Sequence, residues 1–133
     1  MSASRHATIL GLLSWLVPFA VSFLFVDRSG QFLIPQPLFK SLMIVVFGGF
    51  GTALLVVAFH RIVPSTRSGI TLGCYWLLIN LGLDLLILVP LIHMHIVTYL
   101  YDIGLRYLLI PIISTAIGTV VERTGQPAPA NPP

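Results

Sequence analysis

The sequence predicts an all-α transmembrane four-helix bundle whose sequential helices run antiparallel and are joined by short loops. Of the 133 residues, 56% are hydrophobic and 8% are charged, whereas soluble domains carry about 25% charged residues. The apolar residues fall into four continuous segments, at about 7–26, 38–59, 69–92 and 96–121. A helix of roughly 20 residues crosses a hydrocarbon core of about 30 Å. None of the segments shows the alternation of a membrane β-barrel strand. Residues 1–121 are therefore predicted to form one transmembrane domain.

The first segment follows a mildly basic N-terminus and resembles a signal peptide in that respect. A cleaved signal usually has about 7–15 apolar residues followed by a site of small residues. The apolar run here is longer and leads directly into Asp27 and Arg28. We expect a retained membrane span.

Small residues recur four positions apart in the second, third and fourth segments. This spacing places both members of a pair on one helix face, and small faces let helix backbones approach closely in lipid. Two interpretations stay open: packing within the bundle, and contact with a second copy or another membrane protein. The residues are Gly48, Gly49, Thr52, Ala53, Gly69, Gly73, Ser114 and Gly118.

The distribution of Lys and Arg predicts that both termini are cytoplasmic. Short loops on the cytoplasmic side of a membrane carry an excess of these residues. One side of the predicted bundle has Arg5, Arg61, Arg67 and Arg123, and the other has Arg28 and Lys40. The net charge of +3 therefore needs no nucleic acid to explain it. The segment 122–133 is rich in proline and is predicted to be a disordered tail.

The third and fourth segments contain ionisable residues that lipid cannot accommodate. With a turn centred on position 93, Asp84 lies nine residues before it and Asp102 nine after, while Asn80 and Arg106 are each thirteen away. Antiparallel helices would place these residues at matching depths, and Tyr99 shares a face with Arg106. The sequence predicts a buried polar cluster of Asn80, Asp84, Tyr99, Asp102 and Arg106.

Two interpretations of this cluster stay open. Each Asp or Arg near a helix centre costs about 2.5–3.5 kcal/mol on insertion, so such residues face a bundle interior or water. Two carboxylates share one guanidinium, so either one carboxylate is protonated or another cation completes the site. The cluster either locks the third helix to the fourth or couples proton or cation movement in a small transporter or channel.

Other chemistry is nearly absent from the sequence. There is no Ser-His-Asp pattern, phosphate-binding loop or dinucleotide fingerprint, and the single cysteine, Cys74, excludes redox enzymes that need cysteine pairs. His93 and His95 are separated from Asp84 by about 13 Å of helix, too far for shared metal ligation. Pro111 is predicted to kink the fourth span. We expect no enzyme activity, no cofactor and no metal site.

Three stretches resemble a group of small prokaryotic four-span membrane proteins with no assigned activity. They are "SWLVPF" at 14–19, "INLGLDLLILVPL" at 79–91 and "IGLRYLLIPIIS" at 103–114. The resemblance implies a location in the inner membrane and no particular functional residue.

The sequence thus predicts a non-catalytic structural or accessory subunit of the inner membrane. We expect it to contact the lipid bilayer and either itself, as a homo-oligomer, or a larger membrane complex. The alternative is a proton- or cation-coupled transporter or channel that uses Asp84, Asp102 and Arg106.

Overall fold

A computed structural model describes residues 2–126, and within them the fold is the predicted all-α bundle. Four helical stretches are long and apolar enough to cross a membrane, as predicted: Ala3–Phe25, Gln36–Phe59, Thr66–Ile92 and Gly104–Thr124. The chain therefore has the architecture of a multi-pass membrane protein. Its α-helices are α1 (Ala3–Ser22), α2 (Gln36–Phe59), α3 (Thr66–Leu83), α4 (Val89–Ile92), α5 (Ile96–Asp102) and α6 (Leu109–Thr124).

The first loop, residues 26–35, is held by its own hydrogen bonds. Val26 and Phe32 form an isolated antiparallel bridge. Between them, an Asp27 carboxylate oxygen accepts hydrogen bonds from the hydroxyl and backbone N–H of Ser29 and from the backbone N–H of Gln31. Because these bonds favour the charged form, they hold the pKa of Asp27 below its usual range. Gly30 supplies the positive φ of 81° that the turn needs.

The third span changes its hydrogen-bond register at Asp84. After α3, residues Asp84–Leu88 form a π-helical turn, in which the N–H of Val89 bonds to the carbonyl of Asp84. Pro90 has no N–H to continue the ordinary α-helical ladder, which explains why the register changes here. The span ends at His93, whose φ of 50° is left-handed.

The fourth segment is not the continuous helix predicted over 96–121. α5 ends at Asp102, Ile103 has a non-helical backbone (φ −125°, ψ −50°), and a 3₁₀ turn over Gly104–Leu108 leads into α6. The interruption lies at Ile103, not at the predicted kink site, Pro111. Pro111 lies in the first turn of α6. Backbone N–H groups in a first turn have no acceptor within the helix, so the missing N–H of this proline costs no intrahelical hydrogen bond. α6 continues to Thr124, three residues into the predicted tail, and residues 127–133 of that tail lie outside the described residues.

The closest helix packing joins α3 to α6 in antiparallel order. A Cβ on Gly69 would lie 2.5 Å from the Ser114 carbonyl oxygen, and a Cβ on Gly73 or Gly118 would collide with the backbone of Pro111 or Ser65. The Ser114 hydroxyl donates to the Gly69 carbonyl oxygen over 2.8 Å. These small residues therefore pack two spans of the same bundle together.

The small residues of α2 have a different environment. A Cβ added to Gly48 or Gly49 would meet no atom within 4 Å, apart from its own helix and chain neighbours. The Thr52 hydroxyl donates to the Gly48 carbonyl of its own helix, and Ala53 is exposed. Gly48 and Thr52 line a small cavity inside the bundle, whereas Gly49 and Ala53 are exposed and available to lipid or to a neighbouring helix.

Candidate functional site

A buried carboxylate, Asp84, lies at the centre of the most polar region in the bundle. It is 1% exposed. Its Oδ1 accepts a hydrogen bond from Trp15 Nε1 at 2.6 Å, and its Oδ2 accepts from the hydroxyls of Tyr99 at 2.8 Å and Tyr107 at 2.6 Å. The donors come from α1, α5 and the 3₁₀ turn, so a single side chain joins four parts of the chain. We call these four residues the Asp84 hub.

The chemistry of the donors fits an ionised Asp84. An indole N–H is only a donor, and a phenol donates readily to a carboxylate. An ionised carboxylate is only an acceptor, so three donors on two oxygens satisfy it. Phe47 packs edge-to-face on Tyr107, with ring centroids 4.9 Å apart, and so positions one of the donors.

Further polar contacts join α1 to α3, closer to the N-terminal end of each helix. Asn80 Nδ2 donates to the Ser14 hydroxyl at 3.1 Å and to the Trp76 carbonyl at 2.8 Å. Trp76 Nε1 donates to the Ala7 carbonyl at 2.9 Å. Among the described residues 2–126, Asn80 Oδ1 is buried without a hydrogen-bond partner. The two helices therefore run parallel, joined at several depths.

Asp102 and Arg106 form a second, more exposed polar group together with Lys40. Lys40 Nζ lies 3.1 Å from Asp102 Oδ2, and both side chains are more than a third exposed. Arg106 Nη2 donates to the backbone carbonyl of Asp102 at 2.8 Å, while Arg106 Nε is buried without a partner. Within residues 2–126, this guanidinium makes no other hydrogen bond.

The structure thus distributes the five predicted cluster residues over three sets of contacts. Asp84 and Tyr99 meet in the hub, Asn80 faces α1, and Asp102 and Arg106 meet through a backbone carbonyl. The Asp102 carboxylate pairs with a lysine from α2 instead of with Arg106. The physical reason is the interruption at Ile103, since the predicted register assumed one straight helix.

Sequence reasoning missed three residues of this region: Trp15, Lys40 and Tyr107. A signal existed for two of them. Buried Trp and Tyr side chains usually need a partner for their polar atom, so Trp15 and Tyr107 within apolar spans pointed to an acceptor. Lys40 lies one turn inside α2 and was assigned only to the first loop.

A cavity of about 460 Å³ lies between the hub and the first loop. Its walls are largely apolar and aromatic, and Asp84, Asp102, Lys40 and Arg106 also line it. Pockets of about 300–1,000 Å³ hold small molecules in proteins. The cavity can therefore hold a ligand with both apolar and polar parts.

Metal ligands are not gathered anywhere in the described part of the chain. Within residues 2–126, no group of three or more His, Cys, Asp or Glu residues could hold a metal ion. His93 and His95 are both exposed in the turn after α4, and Cys74 is exposed on α3.

Comparisons of this chain with protein-family models, curated proteins and solved structures find no match. The geometry of the hub, the ion pair and the cavity is therefore the basis for assigning a role.

Proposed function

We propose that this protein is a small polytopic inner-membrane protein that acts without catalysis, as a structural or accessory subunit. The observation that supports this role is the Asp84 hub, in which three hydrogen bonds from three helical elements satisfy one buried carboxylate. Such an arrangement holds helices in fixed positions. If Asp84 took up a proton or a cation, these bonds would weaken, and three helical elements would lose their shared contact.

The same reasoning favours a role without catalysis. A general base must have a lone pair within reach of a substrate proton. Asp84 is occupied by three donors, and Asp102 pairs with Lys40. The carboxylates that line the cavity are thus engaged in contacts within the protein.

The proposed orientation places both termini in the cytoplasm. Four arginines lie on the side of the termini and the second loop, against Arg28 and Lys40 on the other side. In this orientation the cavity and the first loop face the outer leaflet.

The proposed partner is a second copy of the chain or a larger membrane complex. The small residues of α3 and α6 are already used within the bundle. The face of α2 around Gly49 and Ala53 is therefore the small-residue surface left for another helix.

One observation favours a second candidate, a proton- or cation-coupled transporter. The cavity reaches Asp84 and Asp102, and both lie where a helix departs from α geometry, at the π turn and beside Ile103. Transporters often build ion sites at such breaks, and π turns are frequent at functional sites.

The two candidates are separated by pH-dependent infrared difference spectra of the protein in lipid bilayers, with Asp84→Asn and Asp102→Asn for assignment. The structural role predicts no Asp84 carboxyl band that titrates between about pH 5 and 8. A band that titrates in this range and disappears in Asp84→Asn would replace the structural role with proton coupling. Asp102→Asn identifies any signal from the more exposed carboxylate.

A further inference from the structure

We infer that the cavity beside the Asp84 hub binds an anionic lipid from the surrounding bilayer, with its acidic headgroup on Arg106 and its apolar part against the aromatic wall. This goes beyond a structural or accessory role, because it assigns a ligand site to the bundle.

Arg106 has unused hydrogen-bonding capacity at the cavity. A guanidinium has five N–H donors. Within residues 2–126, Arg106 makes one side-chain hydrogen bond, from Nη2 to the Asp102 carbonyl, and its Nη1 makes none, while the side chain lines the cavity. A partly buried charged group with unmade hydrogen bonds is costly. An acceptor from outside the protein would remove that cost, and the planar fork of an arginine suits phosphate or carboxylate oxygens.

The charged groups of the cavity decide the sign of the ligand's charge. Three carboxylates and three basic side chains line the cavity, so formal charge alone favours neither sign. The carboxylates, however, already have partners: Asp27 binds Ser29 and Gln31, Asp84 has three donors, and Asp102 has Lys40. Within residues 2–126, Asp27 and Asp84 each accept three hydrogen bonds, whereas Arg106 makes one with its side chain. Arg106 is therefore the less satisfied charged group, and the ligand that suits it is an anion.

The cavity also has an apolar wall. Trp15, Phe19 and Phe23 of the first span face the cavity, with Phe39 and Phe47 of α2. A free inorganic anion would gain nothing from this surface, whereas a lipid buries part of its glycerol and acyl chain there.

The position of the cavity fits the same ligand. It lies between membrane spans and is bounded by the first loop, and Lys40 stands one turn inside α2. A headgroup near the end of the spans and a chain directed along them would match the depth of a bilayer lipid. The volume of about 460 Å³ holds a headgroup with the first part of its chains.

The test uses the full chain in detergent, titrated with phosphatidylglycerol or with phosphatidylcholine, with native mass spectrometry to count bound lipids. We expect one phosphatidylglycerol to bind about tenfold or more tightly than phosphatidylcholine. Arg106→Gln should abolish this preference. Arg106→Lys should retain part of it, because lysine keeps the positive charge but lacks the planar set of N–H donors of a guanidinium. Arg61→Gln, an exposed arginine far from the cavity, should leave the preference unchanged.

Three outcomes would overturn the inference. Equal binding of the two lipids by the unaltered protein would mean that the site does not distinguish an anionic headgroup from a zwitterionic one. A preference retained in Arg106→Gln would place the lipid elsewhere on the surface. Protection against heat by inorganic phosphate alone, equal to that by phosphatidylglycerol, would show that the apolar wall is not used. If Arg106→Gln does not fold, Ser22→Phe, which narrows the cavity from α1, should lower phosphatidylglycerol binding in its place.

Discussion

The indole N–H of Trp15 and the carboxylate of Asp84 are joined by a 2.6 Å hydrogen bond across 69 residues of sequence. This bond fixes the depth of the first span against the third. Both side chains are buried, at 7% and 1% exposure. The first helix is thus part of the polar framework of the bundle and not only a membrane anchor.

Replacement of Trp15 by Phe should lower the free energy of unfolding by about 1.5–3 kcal/mol beyond the packing loss, since a hydrogen bond to a charged acceptor is removed. Trp76→Phe is the matched control, because it removes a buried indole bond to a neutral carbonyl. Its hydrogen-bond loss should be about 0.5–1.5 kcal/mol. Reversible denaturant unfolding in mixed micelles measures both. Equal losses would argue against an ionised Asp84.

Asp84→Asn should destabilise the bundle by about 1–3 kcal/mol, because an amide group cannot accept from all three donors. Tyr107→Phe should cost less alone, and the two changes together should cost less than their sum. A double-mutant cycle in the same unfolding assay gives the coupling between them. Strict additivity would mean that the Tyr107 hydroxyl has another role.

Arg106→Gln should change the free energy of unfolding by less than about 1 kcal/mol in detergent, because the side chain makes one hydrogen bond, to a backbone carbonyl. The measurement is the same unfolding curve, compared with Asp84→Asn. A loss larger than that of Asp84→Asn would make Arg106 the centre of the framework instead.

Gly73→Ala should destabilise the bundle by about 1–3 kcal/mol, because the added Cβ collides with the backbone of Pro111 and forces α3 from α6. Gly49→Ala, with open space around its Cβ, should be neutral or stabilise by up to about 1 kcal/mol through helix propensity. Thermal unfolding followed by circular dichroism compares the two. A loss in Gly49→Ala with little change in Gly73→Ala would contradict the packing described here.

The first loop should loosen in acid. The pKa of Asp27 is held below its usual range mainly by its hydrogen bond from the Ser29 side chain and then by that from Gln31. A lowered folded-state pKa means that the stabilisation is present above about pH 3.9 and is lost as the pH falls through the lowered value. Amide hydrogen-exchange protection at Ser29 and Gln31 should drop there. In Asp27→Asn, protection should already be weak near neutral pH and change little with acid.

The spans could be predicted from hydropathy because lipid imposes a length and a composition on each helix. The close α3–α6 contact also has a sequence signal, since Gly69 and Gly73 lie four residues apart, as do Ser114 and Gly118. The breaks were harder to predict. The π turn at Asp84 depends on how Pro90 is accommodated, and the interruption at Ile103 has no proline beside it.

The partners of the charged residues could not be derived from one hairpin. The predicted register considered only the third and fourth spans, so it set Asp84 level with Asp102 and Asn80 level with Arg106. In the folded bundle the lysine that reaches Asp102 comes from α2, 62 residues earlier, and the indole that reaches Asp84 comes from α1. Contacts over such separations depend on how four helices are arranged and not on the spacing within one.

The interruption at Ile103 has a mechanical consequence. Tyr99 precedes it and Tyr107 follows it, yet both hydroxyls bind the same oxygen of Asp84. The carboxylate therefore bridges the break in the helix. α5 lies before the break, and α6, which packs tightly on α3, follows it. Any swing of α5 about residue 103 must first break the bond from Tyr99. Removal of the Tyr99 hydroxyl would leave the Lys40–Asp102 ion pair, at the last residue of α5, as the side-chain polar contact that holds this short helix to another span within residues 2–126.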